Sequence, residues 1–433
     1  MKKPFESFND LKDKIGNISA KASDGFLGKI GRYFNPEPQK ERVLRHEDFN
    51  AAGDVYYADI SVAYKIAERI LWTILVLFLL FSILFNYKDI TYDNFYYLFK
   101  DFSSAVDSGA SDYEVLSYDS DSRQSFSLYK GGLATVSPSA ISIYTATGRK
   151  TIRENINYSA PFVECSDKYV LVYDASGNSF SIYNSFARVF TDKTEYPITD
   201  ACFAEDGRFA IVTRDYENKA VVYVYSKNFK KINKYSLDTY MFDISINSAQ
   251  NEISMLCYDV GNGTGRTVLM TAELGNTNAE SVVNNYFDGE FPLGISYFEN
   301  GRLALVTDCA VRIFNKNIEE INKIEYFDNK VTDVDFSNFG VAISILKAAK
   351  NQVIAFDKSG ELLYNNSVKY NVSEVGLCED YIFVNTLSGV VRISIKGKGE
   401  HFLPSNNGRL LVYDSTTALV CGDSKAEYLV FGK

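Results

Sequence analysis

The sequence predicts an all-β fold, a β-propeller of about eight blades, preceded by a single transmembrane α-helix and a short, poorly structured N-terminal tail. Three observations carry this. A strand-like segment recurs eight times between Tyr144 and Phe431 at separations of 37 to 45 residues, the period of a propeller blade. Phe and Tyr number 31 each in 433 residues, a usage that favours strands. One run, Ile70 to Phe85, holds sixteen residues with no charge and no proline.

Residues 1–66 read as a largely flexible cytoplasmic tail. Leu11, Ile15, Ile18, Ala22 and Phe26 recur at helical spacing, with Lys12, Lys14, Lys21, Lys29 and Arg32 among them. Gly16, Gly25, Gly28 and Gly31 weaken that helix. A basic amphipathic helix on the inner leaflet is the sharper alternative to a mobile tail.

Residues 67–87 read as the membrane span. They number about twenty, enough to cross a bilayer at ~1.5 Å per residue, and in lipid only a helix satisfies its own backbone. Trp72 and Tyr87 stand near the two ends, where aromatic rings favour the interface. Residues 1–69 carry twelve Lys or Arg, including Lys65 and Arg69 at the span's edge, while residues 86–110 carry only Lys88 and Lys100. The positive-inside rule therefore places the N-terminus in the cytoplasm. The run begins about seventy residues in and no small-residue cleavage site follows, so it reads as a signal anchor. Residues 88–112 form a juxtamembrane linker, where Phe95, Tyr96, Leu98, Phe99, Phe102 and Val106 outline a short amphipathic helix.

Residues 113–433 are the propeller. The recurring strand ends at Tyr144, Tyr183, Tyr225, Met270, Phe314, Phe356, Ser394 and Phe431. A second apolar run precedes each: LATVS, YVLVYD, FAIVTRD, ISMLCYD, LALVTD, VAISIL, YIFVNT and TALVCG. Glu205-Asp206-Gly207-Arg208 and Glu299-Asn300-Gly301-Arg302 repeat one hairpin, with Asp-Gly and Asn-Gly supplying the positive φ of a tight turn. The chain stops after the third strand of its last repeat, so pairing residues 113–119 with the last blade closes the ring and removes an exposed edge. Seven blades is the alternative count if the repeat around Met270 is irregular. The periodic aromatics, with Phe126, read as core.

These repeats resemble the WD40 and quinoprotein-like propellers, without the Trp-Asp signature, since the single Trp lies in the membrane run. The whole layout resembles an uncharacterised family of bacterial membrane-anchored propellers, a domain of unknown function. That resemblance implies the architecture and no site residues.

Chemistry is sparse. Net charge is −10, split as +1 over residues 1–69 and −11 over the remainder; an acidic propeller excludes a nucleic-acid partner, which needs a basic surface. Two histidines, His46 and His401, leave no paired-His metal site. The six cysteines form no CxxC pair and sit mostly in apolar runs, as small hydrophobes. Gly261 to Gly265 reads as a hairpin loop, with no helix after it to make a phosphate cradle. Asp119 with Asp121, and Asp333 with Asp335, are the weak metal candidates: at i and i+2 on a strand both carboxylates face one side, against a reading as solvated turns with capping hydrogen bonds. No cofactor is expected.

The function expected is a non-enzymatic, membrane-anchored, extracytoplasmic scaffold at the cell envelope, binding an envelope protein or a wall polymer. The alternatives are an extracellular glycan-active hydrolase or lyase and a sensor coupling external binding to the tail. Carboxylates clustered over the central pocket with perturbed pKa values would favour the enzyme.

Overall fold

The computed structural model describes residues 65–81 and 115–432, apart from 121–122, 261–262, 276–281, 328, 348–349 and 398. The tail through residue 64, residues 82–87 of the expected span and the linker lie outside the described residues. The chain divides into two compact units, Met1–Ile90 and Thr91–Lys433.

In the first unit a helix covers residues 65–81, and every residue of it is exposed. Twelve of its side chains are large and apolar. Among the described residues, no helix is long and apolar enough to cross a membrane.

In the second unit the described residues form eight antiparallel four-stranded sheets. Blades 1 to 7 run in sequence: 125–155, 161–193, 198–237, 240–288, 292–325, 330–368 and 374–404. Blade 8 takes three strands from 409–430, and its outermost strand is Leu116–Ser117, from the other end of the domain. Leu116 pairs with Ala426 and Ser117 with Lys425. The irregular repeat around Met270 is blade 4, whose first three strands have eight residues each; the count is eight.

The runs chosen from sequence are the second and third strands of each blade. Their continuous apolar character follows from burial on both faces, which removes the alternation of a half-exposed strand. In blade 3, Phe209 and Ile211 enter the seam with blade 2, while Ala210 and Val212 enter the seam with blade 4. Eight apolar clusters result among the described residues, one in each seam between neighbouring blades. The cluster of Leu116, Leu133, Tyr144 and Leu419 joins blade 8 to blade 1 and completes the circle. The outermost strands alternate: Lys231–Leu237 exposes its lysines and buries Asn233.

Tyr144, Tyr183, Tyr225, Phe314 and Phe356 are buried, each the last or next-to-last residue of a third strand. Phe126 lies at the margin of the core. It sits on the innermost strand of blade 1 and is only partly buried, packed against the seam of blades 8 and 1 and against Tyr118, with ring centroids 5.4 Å apart. Of the cysteines, Cys257, Cys378 and Cys421 are buried, while Cys165, Cys202 and Cys309 are half-buried.

Closure is reinforced beyond the strand pair. The Tyr118 N–H donates to the Ser424 carbonyl (3.0 Å) and its hydroxyl to the Gly422 carbonyl (2.6 Å). From blade 7, Arg392 donates to the carbonyls of Ser415 (3.0 Å) and Gly432 (2.6 Å), with its guanidinium 4.4 Å from the Tyr381 ring centroid. Buried Phe431 meets Phe383 edge-on.

Candidate functional site

Antiparallel blades give the ring two faces. The upper face carries the blade-to-blade connections and the second-to-third turns; the lower carries the first-to-second and third-to-fourth turns. The innermost strands line the channel between them.

Four consecutive innermost strands share a β-bulge at one level. The register shifts between Ile198 and Asp200, Met241 and Asp243, Pro292 and Gly294, and Val331 and Asp333. The extra residues, Thr199, Phe242, Leu293 and Thr332, are all exposed. A bulge leaves ladder groups unpaired, and in three of the four blades an aspartate follows to take them. Asp243 accepts from Ile244 N–H (2.7 Å) and, across the seam, from Ile295 N–H of blade 5 (2.8 Å). Asp200 accepts from Ala201 N–H (2.8 Å).

Asp333 accepts from Val375 N–H (2.8 Å), and Asp335 from Leu377 N–H (2.9 Å), both on blade 7. The two carboxylates face one side, and each caps its own backbone donor on blade 7. Asp119 is exposed and ion-paired with Arg153 at 2.8 Å; Asp121 lies outside the described residues. Among the described residues no three His, Cys, Asp or Glu gather closely enough to hold a metal ion.

The structure brings together a different set. A cavity of about 600 Å³ runs from the channel wall to the lower-face turns. Glu164 of blade 2, Asp200 of blade 3 and Asp243 of blade 4 line its depth, and Glu205 and Glu299 line its mouth. No Lys, Arg or His lines it among the described residues. Burial is the main cause that pushes Glu164 up to about 7, with the Asp243 charge adding to it. Asp200 is pushed up to about 8 by burial and then by Asp243, partly offset by the Ala201 N–H. Asp243 reaches about 6 through burial, held back by its two N–H donors. The Glu164 side chain is itself open to solvent on the channel wall, and water there tempers that rise. Cys165 and Cys202 also line the cavity; burial holds their thiols protonated, Cys165 at about 12, so neither is an activated nucleophile.

The upper face carries a second feature. Phe242, Tyr258 and Phe291 form a packed trio across blades 4 and 5, with centroids 4.9 Å apart for Phe242 and Phe291 and 5.1 Å for Tyr258 and Phe291. Phe242 stays 42 % exposed, Phe291 39 % and neighbouring Leu293 40 %. On blade 3, Tyr216 stands 96 % exposed, edge-on to Tyr196.

A family profile described as "Family of unknown function (DUF5711)" matches residues 108–403. No curated protein matches. Among solved structures, Sqt1 of Saccharomyces cerevisiae is 9 % identical over 73 % of this chain and 98 % of its own, with a TM-score of 0.51. BamB of Moraxella catarrhalis is 11 % identical over 73 % and 100 %, with 0.46. The Pan2 WD40 domain of Neurospora crassa is 11 % identical over 64 % and 89 %, with 0.44. At such identities the likeness is one of fold.

Proposed function

We propose, from the premise that the chain belongs to the family of unknown function DUF5711, that it is a non-enzymatic scaffold held at a membrane, its propeller extracytoplasmic and its N-terminus cytoplasmic. The observation that carries the binding role is the aromatic trio Phe242, Tyr258 and Phe291 with Leu293, left open on the upper face. Aromatic residues concentrate at protein interfaces, and an exposed apolar patch on a rigid face marks a contact site. The anchor is supported by the uncovered helix at 65–81 and by the apolar run continuing to Phe85. An envelope protein is the partner this surface fits.

Proximity labelling in the native host, from a tag after Lys433, tests it. A reproducible set of envelope proteins, lost with Phe242→Asp and Phe291→Asp together, supports the reading. A mainly cytoplasmic set overturns the topology, and a set unchanged by the variants overturns the surface.

A second reading rests on the cavity. At neutral pH Asp200, at about 8, keeps its proton beside Asp243, at about 6, which has lost its own. An acid and a base in one cavity is the equipment of a glycan-active hydrolase. Release of reducing ends from purified wall glycan by the wild type, and not by Asp200→Asn, would favour it over the scaffold.

A further inference from the structure

The hairpin that occurs twice in the sequence, Glu205-Asp206-Gly207-Arg208 in blade 3 and Glu299-Asn300-Gly301-Arg302 in blade 5, takes one shape in both places. Each turns on its glycine at positive φ, 93° at Gly207 and 77° at Gly301. The Arg208 N–H donates to Asp206 Oδ1 at 3.0 Å, and the Arg302 N–H to Asn300 Oδ1 at 3.0 Å. The third-to-fourth turns of the two blades also match. Ser226-Lys227-Asn228-Phe229 closes with Phe229 N–H on the Ser226 carbonyl (2.9 Å), and Asn315-Lys316-Asn317-Ile318 with Ile318 N–H on the Asn315 carbonyl (3.0 Å). Blade 3 is therefore an internal control for blade 5.

The two copies differ in charge. In blade 3 one carboxylate neutralises both cations: Asp206 Oδ2 lies 2.9 Å from Arg208 Nε and 3.6 Å from Lys227 Nζ. Arg208 also donates to the Ser248 carbonyl at 3.1 Å. In blade 5 the same position holds an amide. Asn300 keeps the backbone contact and donates to the Lys358 carbonyl (2.5 Å), but it brings no charge. Among the described residues no carboxylate pairs with Arg302 or Lys316. The acids beside them in sequence are engaged elsewhere, Glu299 with Lys358 at 3.8 Å and Glu319 with the Asn315 amide at 2.7 Å. A half-buried guanidinium without a counter-ion is unfavourable by itself. At this place a cavity of about 470 Å³ opens, lined by Asn300, Arg302, Asn315, Lys316 and Asn317, with no acid among them.

We propose that this lower-face cavity of blade 5 binds a phosphate group, in the role that the Asp206 carboxylate fills in blade 3. Arg302 and Lys316 together match a phosphate monoester, whose charge at neutral pH is about −2. The planar guanidinium offers paired donors to two phosphate oxygens, and the ammonium adds a point charge beside it. The cavity falls in the range of small-molecule sites, ~300–1,000 Å³, so the group that carries the phosphate has room. A free phosphate ester and the head group of an anionic lipid share this chemistry.

The test is calorimetric titration of the full chain in detergent, at constant ionic strength, with inorganic phosphate, glycerol 1-phosphate and a short-chain phosphatidylglycerol. Binding is expected, and Asn300→Asp, which restores the carboxylate of blade 3, is expected to weaken it by ~10-fold or more. That variant supplies its own counter-ion, so without phosphate it should melt no lower than the wild type, which separates lost binding from lost folding. Arg302→Gln is expected to weaken binding to a similar extent. Binding of inorganic phosphate or glycerol 1-phosphate supports the proposal with a free ester as the source; binding of the lipid alone supports it with a membrane head group. Unchanged affinity in both variants, or equal binding of acetate, shows general attraction of anions and overturns the proposal; so does failure of all three probes. The proposal does not rest on the upper-face reading, whose Phe242-dependent labelling these variants leave intact.

Discussion

Gly294 shows how tightly the channel wall is built. A Cβ placed there would lie 2.8 Å from the Phe336 ring and 3.3 Å from the Asp243 carboxylate. Blade 5 thus has glycine at the level where its neighbours have aspartate, because Asp243 and Phe336 already fill the space. Gly294→Ala is expected to lower stability by ~1–3 kcal/mol through overpacking, read as a shift in urea midpoint. The acids make a second prediction. Glu164, Asp200 and Asp243 have folded-state pKa values raised above those of an unfolded chain. Between about pH 4 and 8 the folded state therefore holds more protons than the unfolded state, and stability falls as pH rises. Melting temperatures across that range should decline, and Asp200→Asn should flatten the slope. None of these acids was legible in the sequence. Asp333 and Asp335 drew attention because they alternate, yet they cap blade 7. Glu164, Asp200 and Asp243 stand singly in three different repeats and meet only because blades 2, 3 and 4 set their innermost strands side by side around the channel.

At the scale of the element, the second and third strands were legible because burial on both faces leaves an unbroken apolar run, as in Leu303–Thr307 and Ala310–Phe314. The innermost strands were not. A bulge adds one residue without changing composition, so Phe242 and Leu293 read as ordinary strand positions although they emerge at the channel mouth. Aligning the innermost strands would have shown Asp200, Asp243 and Asp333 at one level, with Gly294 between. The strand Leu116–Ser117 has only two residues, but Leu116 is buried in the seam between blades 8 and 1. Leu116→Ala is expected to cost ~2–5 kcal/mol. Limited proteolysis should then cut blade 8 ahead of blades 2 to 6, whose strands keep all their partners.

For the whole molecule, eight recurrences pointed to eight blades and left seven open at the irregular repeat around Met270; the eight sheets, with one apolar seam between each neighbouring pair, decide for eight. The helix at 65–81 belongs to a different question, the address of the ring. Deleting residues 70–85 should move the protein from the membrane pellet to the supernatant after carbonate extraction, with the melting profile of the propeller unchanged. Persistence in the pellet would reject the anchor proposed above.

The closing blade also sets an order of events. Among the described strands its outermost is made first, and its partner around Lys425 is made last; the Tyr118 to Gly422 bond spans 304 positions of chain. Seven blades are complete before the first strand has anywhere to dock, and loop closure over such a distance is slow. Until residues 425–430 emerge, the nascent chain is an open arc with an unmatched rim at each end, and a pause ahead of them lengthens the interval in which chaperones must shield it.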